Sequence, residues 1–218
     1  MFKIEKMDLL VSIYIFGIIV SELMGAKTFP LLDLGFYKLN ASVAIFLIPL
    51  LFTINDMIVE VHGAKRARSV VRSGLLMIGL LFGFIMLAIS LPPSKRFLET
   101  EGAYDTVFGK SARISLASLT AFALADFLDI FIFSKIREKL GKSKLWLRNN
   151  ASNFIAQLID TVVFMTLAFY ALDKGFDDNA SFLISLIIPY WLLKCSMSII
   201  ETPLVYLGVR WLKSEKKS

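Results

Sequence analysis

Six stretches of about 20 mostly apolar residues, roughly 8–29, 42–62, 70–91, 113–134, 151–172 and 181–209, leave this 218-residue chain few choices of fold. A helix rises about 1.5 Å per residue, so each stretch matches a hydrocarbon core about 30 Å thick. Hydrophobic residues make up 56% of the chain, which is not a soluble-domain composition. The expectation is an all-α polytopic membrane protein, a single domain of six transmembrane helices over residues 1–218. The first stretch holds Glu22 and Lys27 and lacks a small-residue cleavage pattern, so it reads as a retained span rather than a signal peptide.

The positions of the basic residues set the orientation. With the N-terminus inside, the inner segments hold Lys3 and Lys6; Lys65, Arg66, Arg68 and Arg72; Lys135, Arg137, Lys139, Lys142, Lys144 and Arg148; and Arg210, Lys213, Lys216 and Lys217. The outer segments hold far fewer, and Lys194 lies within a span. That asymmetry predicts an N-in/C-in protein of the cell inner membrane. The net charge of +6 is then topological, compatible with contact to membrane lipid, and implies no nucleic acid partner. Cys195 and His62 are each the only residue of their type, so neither a disulfide nor a Cys/His zinc site can be built. No G-x-x-x-x-G-K loop is present to bind a nucleotide phosphate, and no cofactor is implied.

The spans carry more polar groups than lipid tolerates without compensation. A central Asp or Lys costs roughly 2.5–3.5 kcal/mol on insertion scales. Here the second span holds Asn55, Asp56 and Glu60, the fourth Asp126 and Asp129, the fifth Asn153, Gln157 and Asp160, and the sixth Lys194 and Glu201. Spacings of three, four and seven put each set on one helical face. Four helices turning such faces inward would enclose a polar chamber. Asp56, Asp126 and Lys194 each fall ~20 Å into a descending span, at a depth where transporters hold substrate. Plainer roles compete for single residues: amides glue helices, Lys194 can neutralise Glu201, Asp160 or Asp56 as an ion pair or gate, and Glu60 and Asp129 can be solvated near the inner interface. No plain role covers polar groups recurring on four helices.

Four segments carry a resemblance: "LWLRNNASNFIAQLIDT" at 145–161, "NDMIVEVHGAKRAR" at 55–68, "VFGKSARISLASLTAF" at 107–122 and "ETPLVY" at 201–206. Together they resemble the queuosine precursor transporter family, small six-span proteins also grouped as vitamin uptake transporters. The resemblance implies import of 7-deazaguanine compounds (7-cyano-7-deazaguanine, its aminomethyl relative or queuine) for tRNA modification, by a protein that is not an enzyme. Asp126 stands where the family more often has glutamine and Glu201 where it more often has aspartate, leaving the preferred precursor open.

A guanine-like edge suits such a chamber, since a carboxylate accepts from its N1–H and exocyclic amine while an amide donates to its carbonyl. Asn153, Gln157 and Asp160 are expected to form one wall, Asp56, Glu60 and Asn55 the opposite one, and Asp129 with Asp126 the rest. Phe154, Phe127 and Trp191 are candidates to stack on the ring. A homo-oligomer is compatible with this reading. Two rivals stand beside it: a substrate-capture subunit of an energy-coupling-factor importer, which would carry an A-x-x-x-A motif that the first span lacks, and an intramembrane metal-dependent transferase using Asp126 and Asp129.

Overall fold

The computed structural model describes residues 4–35, 37–140, 145–200 and 202–214; for 125–140, 145–153, 156, 198–200 and 202 it describes the course of the backbone alone. Helix dominates, at 79%. The elements in order are α1 (Lys6–Met24), β1 (Thr28–Asp33), β2 (Lys38–Ser42), a 3-10 turn (Val43–Phe46), α2 (Ile48–His62), α3 (Ala64–Ser90), α4 (Glu101–Leu140), α5 (Leu145–Phe169), α6 (Phe176–Ile200) and α7 (Thr202–Lys213). Among the described residues, four helical segments are long and apolar enough to cross a membrane: Lys6–Met24, Val43–His62, Ala64–Ser90 and Phe176–Met197. The remaining expected spans, 113–134 and 151–172, fall in α4 and α5.

The chain divides into two compact units, one of residues 1–28, 42–115 and 196–218 and one of 29–41 and 116–195. In the first, α2 packs against α1, α3 and α7. Its core is Leu10 and Tyr14 of α1, Ile54, Met57 and Ile58 of α2, Ala67 and Val70 of α3 and Leu212 of α7. Two glycines permit the close approach. A Cβ at Gly74 would lie 2.6 Å from Ile18 Cδ1, and one at Gly208 would collide with Met57. The chain passes from α2 to α3 through Gly63 alone, whose φ of 81° suits a residue without a Cβ.

The outward side of α3 is the inverse of a soluble helix. Leu76, Leu80, Phe84 and Leu87 are all more than half exposed, while Ala67, Val70, Gly74, Ile78 and Ile85 are buried. Large apolar groups turned away from the packed side are what acyl chains solvate.

In the second unit, β1 and β2 form a two-stranded hairpin. Its turn is held by Gly35 (φ 79°) and by Asp33, whose carboxylate accepts from the Gly35 N–H at 2.9 Å and pairs with Lys38 at 3.3 Å. The hairpin docks on α6, where the Tyr37 hydroxyl donates to the Ser181 carbonyl at 2.5 Å and Asn40 Nδ2 donates to Ser185 Oγ at 2.8 Å. Asn179, buried in the first turn of α6, ties down the link from α5. It accepts from the Ala171 N–H and donates to the carbonyls of Ala171, Lys174 and Gly175.

Three features add to the sequence expectation. The segment after the first expected span is a β-hairpin. Residues 101–112, between the third and fourth expected spans, are helical and continuous with the rest of α4, since no proline interrupts the chain between Glu101 and Leu140. The sixth expected span, 181–209, falls in α6 and α7, the last of seven helices among the described residues.

Candidate functional site

Lys194 of α6 and Asp160 of α5 meet in the second unit, Nζ to Oδ2 at 2.7 Å. Both side chains are mostly shielded, at 17% and 28% exposed. Lys194 Nζ also donates to Thr161 Oγ1 at 3.3 Å, and that hydroxyl donates to the Gln157 carbonyl at 2.7 Å. The ammonium thus has a carboxylate and a hydroxyl before it, which a shielded cation requires. Sequence spacing left three partners open for Lys194; the geometry gives Asp160.

An aromatic pair accompanies the ionic one. Phe154 and Trp191 contact edge to face, with centroids 4.5 Å apart and planes at 64°, and Trp191 Nε1 approaches the Phe154 carbonyl at 3.5 Å. Phe154, Gln157 and Asp160 follow at intervals of three along α5, and Trp191 precedes Lys194 by three on α6. One side of each helix therefore presents a ring and then an ion. Pro189 withholds an N–H from the α6 ladder just before this side begins. Chemically, the set offers a carboxylate, a cation, an amide and two aromatic surfaces within two adjoining helices.

The other expected residues divide into two groups. In the first unit, Asp56 and Glu60 are exposed and Asn55 half-buried, on the part of α2 away from the buried Thr53, Ile54, Met57 and Ile58. Asn153, Asp126, Asp129 and Phe127 lie on the backbone course of α5 and α4, with side chains outside the described residues, and Glu201 lies outside them altogether. Thr161 is the site residue that the assignment missed. It is buried at 1% exposure, and its signal was its place directly after Asp160 in the polar row of α5.

Long apolar helices with a shielded ion pair and amide define a multi-pass membrane protein with a polar site. Residues 42–208 match the family described as "Putative vitamin uptake transporter", and the chain belongs to that transporter family. Among curated proteins it is 30% identical over 216 residues to the "Probable queuosine precursor transporter" of Bacillus subtilis, covering 98% of this chain and 88% of that one. It is 26% identical over 147 residues to the "Queuosine precursor transporter" of Escherichia coli, covering 67% of this chain and 62% of the relative. A "Probable queuosine precursor transporter" of Haemophilus influenzae is 27% identical over 124 residues, 56% of this chain and 49% of that one. No solved structure matches.

Proposed function

We propose that this chain imports queuosine precursors of the 7-deazaguanine type across the cell inner membrane by alternating access, and that α5 and α6 carry the substrate site. The observation that carries the reading is the shielded Lys194–Asp160 pair, with Gln157 and the Phe154–Trp191 pair on the same two helices, in a chain of this family. Asp160 accepts from the ring N1–H and exocyclic amine once Lys194 releases it, Gln157 meets the carbonyl edge, and Trp191 or Phe154 covers the ring face. Asn153, Asp126, Asp129 and Phe127 extend the same pocket. Asn55, Asp56 and Glu60 form a second polar set on α2, where acids on an apolar helix need water, a partner or substrate. Six spans with both ends inside, acting as one domain alone or as a homo-oligomer, complete the proposal.

In this mechanism the ion pair is the switch. Substrate competes with Lys194 for the Asp160 carboxylate, so loading frees the ammonium and favours the alternative state. Asp56 and Asp160 are the candidates for a coupled proton.

Purified protein in liposomes, loaded with no other component, should take up labelled 7-cyano- or 7-aminomethyl-7-deazaguanine and ignore adenine. Binding should also raise its melting temperature, by the equivalent of about 2.7 kcal/mol at a hundredfold excess over Kd. Binding without uptake would replace the transporter reading with that of a substrate-capture subunit. Neither binding nor uptake would end the proposal.

A further inference from the structure

A second, chemically different site lies on α3. His62, Lys65, Arg66, Ser69, Arg72, Ser73 and Leu76 line an open groove of about 680 Å³. The helical residues among them share one side of α3, opposite the side that packs through Ala67, Val70, Gly74 and Ile78. Among the described residues no carboxylate pairs with Lys65, Arg66 or Arg72, although ion pairs are formed elsewhere by Lys38 and Lys194. Three cations with no carboxylate paired to them among the described residues, beside the Ser69 hydroxyl, make a receptor for a phosphate-type anion, to which guanidinium groups bind in bidentate fashion.

The continuation of this side of the helix selects the source of the phosphate. Beyond Leu76 it runs through Leu80, Gly83 and Leu87, all exposed. A Cβ at Gly79 or Gly83 would meet nothing within 4 Å, so a flat apolar strip extends from the basic groove. A free anion would use only the groove, whereas a lipid would use both. We propose that this surface holds one anionic phospholipid, its phosphate among Lys65, Arg66 and Arg72 and an acyl chain along Leu76, Leu80, Gly83 and Leu87. In the orientation proposed above, it is a lipid of the cytoplasmic leaflet. The site differs from a diffuse positive-inside field because Arg68, a cation on the same helix, does not line it.

The test is titration of detergent-purified protein with short-chain phosphatidylglycerol, phosphatidylcholine of the same chain length and inorganic phosphate, followed by melting temperature and native mass spectrometry. Phosphatidylglycerol should bind saturably, and R66Q/R72Q should weaken it about tenfold or more, with R68Q close to wild type. If the double variant fails to fold, Ser69→Glu, which sets a carboxylate in the groove from an exposed position, should give the same loss. Equal binding by wild type and groove variants would overturn the site, as would an equal loss in R68Q. Inorganic phosphate that binds as well as the lipid would overturn the lipid assignment in favour of a free anion.

Discussion

Lys194 and Asp160, 34 residues apart in sequence, close a 2.7 Å ion pair between α6 and α5. Because both are partly shielded, losing one partner leaves a charge with neither water nor counter-ion in full. Asp160→Asn should therefore lower unfolding stability by about 1–3 kcal/mol, and the double variant D160N/K194Q should recover most of that loss. Thermal unfolding of the four members of the cycle measures it. Uptake distinguishes a switch from a brace: both variants should transport poorly, and a double variant that is stable and fully active would make the pair purely structural.

The aromatic pair makes a separate prediction. Trp191→Ala removes a ring face and its edge contact with Phe154. If the ring stacks on substrate, the Kd for a deazaguanine should weaken by roughly 5- to 150-fold, the equivalent of about 1–3 kcal/mol per stacked base. Trp191→Phe should retain most of the affinity. Isothermal titration with both variants checks the order, and equal affinities for Trp191→Ala and wild type would assign the ring to packing alone.

What was legible in the sequence follows from what the bilayer dictates. Apolar length fixes a span wherever the oil demands one, and so α1, α3 and the run Val43–His62 were readable to within about six residues at either end. The hairpin escaped because β1 is six residues and β2 five, with Pro30 inside the first. Spacing gave the depth of Lys194 but not which helix adjoins it, so the choice of Asp160 over Glu201 or Asp56 awaited coordinates.

Two glycines separate backbone strain from packing. Gly63 and Gly83 both have open space where a Cβ would stand, but Gly63 has φ of 81° and Gly83 is helical. Gly63→Ala should thus destabilise by about 1–3 kcal/mol through strain alone, whereas Gly83→Ala should be neutral or stabilising by up to about 1 kcal/mol. Chemical or thermal unfolding in one detergent compares them directly. A Gly63→Ala variant as stable as wild type would mean that the α2–α3 link accepts another backbone conformation.

The hairpin turn should respond to acid. The hydrogen bond from the Gly35 N–H, followed by that from Lys38, holds the Asp33 carboxyl below its ordinary value of 3.8. A carboxyl that binds its proton less tightly when folded contributes order above that ordinary value and loses it as pH falls through the lower, folded one. Since Asp33 is exposed, the contribution is small and salt should weaken it. Amide exchange at Gly35 is the direct readout, with protection constant from neutral pH down to about 4 and declining below it. Asp33→Asn should abolish this pH dependence, leaving Lys38 without its partner and the Gly35 N–H facing a neutral acceptor. A variant whose Gly35 protection still falls below pH 4 would assign the acid response to another group.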